Sequence, residues 1–449
     1  KRPVPGPFFE MVAEGLLKRQ RLHMRYLTRG RREVSERDVS PQRLVHHRNT
    51  WYLDAWCHTR EKLLRFALDA IEQAVFWRAV DLFKLDVDLV FYDGTTAWFA
   101  CDEEDIARQE WRGLTFEPLR KRGHSKEGRD NDPQVVIALA VTRDGVPVRS
   151  WVFPGNTPDV TTVQTIKNDL RAMRLGRVLF VGDAGLYARA NLEELSKGAG
   201  RYILATPIGR VKEIRGEVLS HPGRYADITP SLRAKEVVLG EGERRRRYIL
   251  CLNEEEADRQ RWHRAEILKI LEAELASLNG NHPKAACRLM ASKRFGSYLS
   301  QDDHGRPYLD KDKIRRAEQL DGKFVLTTND DTLAVADIAL GYKGMWIIES
   351  CFRKLKTTGL AVRPMFHWMP HRITAHVKLC VLALMIQRAA ELATGLPWRQ
   401  LAGRLERLKA VRYISEGRTV VQATAIGPEL AGILDKLDVA PPKTILAVS

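Results

Sequence analysis

At 449 residues and 44% hydrophobic, the chain is long enough for two or three domains and can bury sizeable cores, which excludes a broadly disordered protein. Its 73 Lys and Arg outnumber 57 Asp and Glu, giving a formal net charge of +16 and an isoelectric point near 9.6, a surplus that points to a polyanion such as DNA or RNA. The longest purely apolar run, Leu379–Ile386, is far below the roughly 18 residues of a membrane span. The six cysteines (Cys57, Cys101, Cys251, Cys287, Cys351 and Cys380) form no CxxC pair. They read as reduced thiols of a cytoplasmic protein, and no signal peptide is expected. His46–His47 and His367, His371 and His376 lack the Cys or carboxylate partners of a metal site.

Residues 1–20 begin Pro-rich and turn amphipathic. Residues 21–71 alternate strand-like runs with basic or polar turns and predict a small, strongly curved β-sheet. This stretch resembles the WYL domain of bacterial transcriptional regulators, on Trp51-Tyr52-Leu53, the preceding Arg37-Asp38-Val39-Ser40-Pro41 and the closing Arg65-Phe66-Ala67-Leu68-Asp69-Ala70-Ile71. The resemblance implies a module that senses ligands or nucleic acid, here assigned to residues 1–72.

From Gln73 the pattern changes to an α/β one, and residues 73–207 read as the first part of an α/β core. A helix-like run, QAVFWRAVDLF, precedes two strands with a Gly-Thr turn between them, and Asp93 closes the first. A basic loop, Leu119–Pro133, carries Arg120, Lys121, Arg122, His124, Lys126 and Arg129. VVIALAVTRDGVPVRSWVF is a hairpin with an Asp-Gly turn, and residues 159–174 an amphipathic helix. A buried strand then ends in Asp183, and a turn, a helix and the strand RYILATP follow. Strands this apolar belong in a covered sheet, whose strand ends are where such sheets place ligands.

Residues 208–320 interrupt the pattern and read as an insertion, partly β and partly helical, with a basic tract at Arg244–Arg247 that suits either DNA contact or a solvated edge strand. The remainder of the core, residues 321–400, holds the helix of Gly341–Lys356 and a mostly buried helix after it; residues 401–449 form a tail. On one continuous helix Met345, Glu349, Arg353 and Lys356 fall within about 60° of Tyr342, opposite Ile347, Ile348, Cys351 and Leu355. A carboxylate flanked by cations suits a metal site that handles phosphates. Asp93, Asp183 and Glu349 together suffice for two hard divalent ions about 4 Å apart, which need no protein nucleophile. No Walker loop, Rossmann fingerprint or nucleophile elbow is present in the sequence.

Four ordered motifs over residues 75–400 resemble the DDE transposases of bacterial insertion sequences, in the group named after insertion sequence four. They are Tyr92-Asp93-Gly94-Thr95-Thr96, Gly155-Asn156-Thr157-Pro158-Asp159, Gly182-Asp183-Ala184-Gly185 with Asn191-Leu192, and the Tyr-x2-Arg-x3-Glu-x6-Lys signature on Tyr342, Met345, Glu349 and Lys356. The resemblance implies an RNase H-like core (a mixed sheet with flanking helices) with an insertion between the second Asp and the Glu. It also implies a catalytic and metal-binding triad of Asp93, Asp183 and Glu349 holding two Mg²⁺ or Mn²⁺ ions, DNA strand cleavage and transfer, and a homodimer on terminal repeats and target DNA. Tyr342, Lys356, Arg353, Lys126 and Arg129 are the candidate DNA contacts. Met345 stands where the signature has arginine, a departure that weakens DNA contact. The joined architecture leaves two alternatives open: a catalytically impaired fusion relic with its junction near Ile71–Phe76, or a WYL-type regulator that binds nucleic acid or ligand without catalysis.

Overall fold

The computed structural model describes the strands within residues 22–67 by their backbone. It describes residues 87–448 apart from short gaps at 112–113, 243–244, 279–282, 293, 358–359, 361, 364 and 416–417, with a few isolated residues between 76 and 80. The amphipathic stretch expected in residues 1–20 and most of the helix expected from Gln73 lie outside the described residues. The chain divides into two compact units, one of residues 1–180 and 344–449, the other of residues 181–343.

The first unit opens with an antiparallel sheet of β1 (Leu22–Thr28), β2 (Glu33–His47), β3 (Thr50–Cys57) and β4 (Lys62–Ala67), in that order. The turn expected inside VSERDVSPQRLVHH does not form. The strand runs through Pro41, which has no N–H to donate, and the ladder absorbs it as a register shift between Pro41 and Arg43.

The main sheet of this unit is built on β5 (Leu89–Trp98), followed by a short hairpin of β6 (Gln109–Trp111) and β7 (Leu114–Phe116). The long hairpin of β8 (Gln134–Thr142) and β9 (Pro147–Pro154) then pairs with β5 in the antiparallel order β5-β8-β9. Every residue of β8 is buried, as a central strand requires. Gly145 supplies the positive φ of the Asp-Gly turn. One expectation needs correcting: Asp93 does not close a strand. Gly94 keeps an extended backbone, and β5 continues unbroken from Leu89 to Trp98 against β8, with Asp93 opposite Leu139 and Thr95 opposite Ile137. Helix α1 (Val163–Ala172) buries Val163, Ile166 and Leu170. The chain leaves this unit along β10 (Leu179–Gly182); Leu179 N–H donates to Asp88 O at 2.8 Å, so β10 starts beside the start of β5.

The second unit continues with α2 (Arg189–Ser196) and β11 (Arg201–Thr206), then β12 (Ala226–Thr229), β13 (Leu232–Leu239) and β14 (Arg246–Asn253). Helix α3 (Glu254–Ser277) is capped by the Asn253 side chain, which accepts from Glu256 N–H. Helices α4 (Pro283–Ala291) and α5 (Lys311–Glu318) flank the small hairpin of β15 (Leu299–Gln301) and β16 (Pro307–Leu309); β17 (Lys323–Thr328) and α6 (Val335–Lys343) complete the unit. Its strands take the order β12-β13-β14-β17-β11. Strand β14 is therefore interior, between β13 and β17, and the basic tract is not on a solvated edge.

Back in the first unit, α7 (Trp346–Thr357) lies against β5 and β8 and buries Ile348, Cys351, Phe352 and Leu355, close to the apolar arc read from the sequence. Helix α8 (Pro370–Thr394) packs on β9. By length and composition α8 could cross a membrane, but 61% of its most apolar window is buried, and it carries Lys378 inward to donate to Ser150 O at 2.7 Å. The end of the chain adds α9 (Trp398–Leu405), a sheet of β18 (Ala410–Ser415), β19 (Arg418–Ala423) and β20 (Ile445–Val448), and α10 (Pro428–Lys436). The expected α/β class, a sheet with flanking helices, is what the chain forms.

Candidate active site

The site grows from β5. Alternation puts Tyr92 on one face and Asp93 and Thr95 on the other. The buried Tyr92 hydroxyl is bonded to Thr162 Oγ1 at 2.9 Å, and Thr162 Oγ1 also reaches Asp159 O at 2.7 Å. Burial drives the Tyr92 phenol far above its ordinary pKa, so it stays a neutral strut. The strut fixes the single 3-10 turn of Asp159–Thr161 that follows Pro158. Asp159 thereby comes over Asp93, and one ammonium bridges the two carboxylates: Lys126 Nζ lies 3.1 Å from Asp93 Oδ1 and 3.2 Å from Asp159 Oδ2. It also donates to Gly94 O at 2.6 Å. Burial pulls the Lys126 pKa down, but the charges and hydrogen bonds of Asp93 and Asp159 outweigh it and leave the pKa raised, so the bridge is charged at neutral pH.

The Gly155-Asn156-Thr157-Pro158-Asp159 motif has a steric origin. A Cβ on Gly155 would stand 2.1 Å from Gln134 O and 2.2 Å from Lys121 O, and one on Gly123 would stand 2.3 Å from Gly155 O. These glycines let the basic loop and the end of β9 pack backbone to backbone, with Lys121 and Gln134 exchanging N–H···O bonds of 3.0 and 3.1 Å. The loop is thus held on the sheet. Within it Arg120 is buried, bonded to Asp105 through Nε at 2.9 Å, and Arg129 stacks on the Trp98 ring at 3.9 Å and pairs with Asp132 at 3.2 Å.

From the other side comes α7. Lys356 Nζ donates to Thr95 Oγ1 at 2.6 Å, which pins the last turn of α7 to the face of β5 that carries Asp93. It also pairs with Glu127 Oε1 at 2.5 Å, while Arg363 grips Glu127 Oε2. Burial lowers the Lys356 pKa; Glu127 works against the shift, and Arg363 and Lys126 add to it. Glu349 lies in the first turn of α7, exposed, and Arg353 is exposed one turn on.

The single helix expected for Gly341–Lys356 is corrected to two. The chain turns at Gly344–Met345 between α6 and α7, where glycine makes helix continuation costly, and α7 restarts with Ile347 N–H on Gly344 O and Ile348 N–H on Met345 O. Helical spacing therefore no longer relates Tyr342 to Glu349. Tyr342 belongs to the second unit, where its ring lies 5.8 Å from that of Phe324. Asp183 is also in that unit, directly after β10 as expected, exposed, and accepts from Gly185 N–H at 2.8 Å to cap the turn that follows. Asn191 ties this turn to α2 by donating to Leu186 O at 2.9 Å. The first unit thus joins Asp93 with Lys126, and Lys356 with Thr95. Asp159, Glu127 and Arg363 were not assigned from the sequence; only the motif containing Asp159 signalled any of them.

The described residues of the basic tract, Arg245, Arg246 and Arg247, are committed within the second unit. Arg245 pairs with Asp331, Arg246 with Glu213 at 2.6 Å, and the buried Arg247 with Glu236 and Asp330 O, each at 2.5 Å. Cys101, Cys251, Cys287, Cys351 and Cys380 are free thiols. Among the described residues no group of three or more His, Cys, Asp and Glu side chains is gathered closely enough to hold a metal ion. The donor chemistry at Asp93 nonetheless fits a hard divalent ion: two carboxylates already converge on one cation, and magnesium takes one or two carboxylates together with water and substrate phosphates.

The chain matches the family model described as Transposase DDE domain over residues 109–386. It belongs to that family. A WYL domain model matches residues 7–76, in agreement with the N-terminal resemblance. None of the curated proteins matches the chain. Among solved structures this transposase-family chain is similar to a piggyBac transposase synaptic complex with hairpin DNA, at 7% identity over 76% of this chain and 55% of that one, with a TM-score of 0.38. It is also similar to a Mos1 mariner paired-end complex with Mn, at 12% identity over 29% of this chain and 40% of that one, with a TM-score of 0.17. The chain thus spans about half the length of these two structures.

Proposed function

We propose that the protein is a DNA transposase of an insertion sequence, cutting DNA and transferring strands with Asp93, Asp183 and Glu349. The Transposase DDE domain match over residues 109–386 carries this reading. These three carboxylates would hold divalent ions, two Mg²⁺ or Mn²⁺; bound there, such ions polarise phosphate oxygens and acidify an attacking water or 3′-hydroxyl. Asp93 presents its carboxylate from a rigid, buried strand, which keeps the position of a ligand well defined. Lys126 holds Asp93 and Asp159 together by charge until substrate arrives. Lys356 is poised beside Thr95 to face a DNA phosphate; Tyr342, Arg353 and Arg129 are further candidate contacts. The same reading has the protein act as a homodimer on DNA, one copy for each of the two ends, as the resemblance implies.

The test is cleavage of labelled DNA carrying the element's end, with Mg²⁺ or Mn²⁺ and with a chelator. Asp93→Ala, Asp183→Ala and Glu349→Ala should each lower cleavage by about 10²-fold or more. Cleavage that persists in one variant removes that residue from the triad. The WYL domain match favours a second reading, a regulator that binds nucleic acid or ligand without catalysis. It requires binding that survives all three substitutions and needs no metal.

A further inference from the structure

The loop from Leu119 to Pro133 places two neighbouring side chains of opposite charge onto two parts of the candidate site. Lys126 sits on Asp93 and Asp159. The next residue, Glu127, puts its carboxylate between Lys356 and Arg363. Local bonds hold this tip: Lys126 N–H on Thr96 Oγ1 at 3.2 Å, Ser125 N–H on Asp130 Oδ1 at 2.6 Å, and a turn that closes at Gly128 with positive φ. The partners of Glu127 are an ammonium and a guanidinium, both largely withdrawn from water, with side-chain exposures of 13% and 26%. They outnumber the one carboxylate between them. One further observation shows that a carboxylate is an imperfect occupant: Arg363 Nε is buried and makes no hydrogen bond. Such a donor is costly unless some state of the protein supplies an acceptor.

A phosphodiester meets this need. It carries one negative charge, as Glu127 does, but its oxygens are arranged tetrahedrally. One can take Arg363 side-on through Nε and a terminal nitrogen while another takes Lys356. We propose that Lys356 and Arg363 form a binding site for a DNA backbone phosphate, that Glu127 occupies it in the absence of DNA, and that the loop tip withdraws when DNA enters. The same withdrawal lifts the Lys126 ammonium from Asp93 and Asp159, so the arrival of DNA also frees the carboxylates. This inference rests on the DNA-transposase reading.

The test is fluorescence anisotropy of the full chain with a labelled random-sequence DNA duplex, without divalent metal, over a range of KCl concentrations. Glu127→Gln removes the competing anion and should tighten binding about fivefold or more. Arg363→Ala should weaken binding and lower the slope of log K against log salt by about one. Arg363→Lys should restore the slope but only part of the affinity, because an ammonium cannot bind side-on. The double variant E127Q/R363A should bind no more tightly than R363A, since the two residues act on one site. If R363A fails to fold by circular dichroism, the E127Q and R363K measurements decide. Wild-type binding that is indifferent to these substitutions overturns the inference and leaves the transposase reading intact. No wild-type binding at any salt concentration overturns both.

Discussion

Gly155 shows how a single residue governs the site. Two carbonyl oxygens, Gln134 O and Lys121 O, stand where its Cβ would be, and both belong to backbone that cannot yield cheaply. We expect Gly155→Ala to destabilise the protein by about 3 kcal/mol, measured by thermal or denaturant unfolding. It should also release the loop that delivers Lys126 and Glu127. Unchanged stability would mean that the close approach does not exist. The glycine stands out in the sequence as part of a motif, but the reason for it does not, because its steric partners are 21 and 34 residues away in the chain. Glu127 is less legible still. It sits inside a run of cations, and its partner Arg363 is 236 residues away.

At the scale of elements, Glu391 joins three helices. Its carboxylate accepts from Lys354 of α7 at 2.8 and 3.0 Å, pairs with Arg388 of its own helix, and accepts from Trp398 N–H at the start of α9 at 2.9 Å. Burial pushes its pKa up, but these bonds outweigh that and hold it below the ordinary carboxylate value. Because the folded value lies below the unfolded one, the stabilisation is complete above the ordinary glutamate range and is lost as pH falls through the folded value. We expect Glu391→Gln to cost about 3 kcal/mol at neutral pH and to flatten the acid limb of a stability-against-pH curve. An unchanged acid limb would remove Glu391 from that role. The helices and the β8–β9 hairpin were readable from periodicity and turn residues. The break between α6 and α7 was not placed, since Gly341 and Gly344 both weaken the helix and only packing chooses between them. The continuity of β5 through Asp93-Gly94-Thr95 is hidden in the sequence because Gly-Thr after an Asp also reads as a turn; the ladder with β8 overrides that preference.

For the whole molecule, the surplus of +16 is the property most directly tied to DNA. Its location is not uniform, because Arg120, Arg245, Arg246 and Arg247 are all engaged with acidic partners. We expect DNA affinity to fall steeply with salt, by about 10³-fold or more between low and moderate ionic strength if six or more phosphates are neutralised. Arg247→Ala should leave that slope unchanged and instead lower stability by about 1–2 kcal/mol, since it removes a buried guanidinium bonded to the exposed Glu236 and to Asp330 O. A changed slope with unchanged stability would return the tract to the DNA surface.

The sequence by itself determined the α/β class, the basic surplus, the WYL-like N-terminus, and the candidate triad of Asp93, Asp183 and Glu349 with Lys356. These follow from composition, local periodicity, and the resemblance of ordered motifs to known families, all carried by short stretches of chain. Only the tertiary structure decided that Asp159 shares Lys126 with Asp93 and that Glu127 lies between Lys356 and Arg363. It alone also showed that Arg245, Arg246 and Arg247 are spent on acidic partners and that Tyr342 and Glu349 sit on separate helices. Each of these depends on which side chains a fold brings within a few ångströms across long separations, and no local pattern in the chain encodes that.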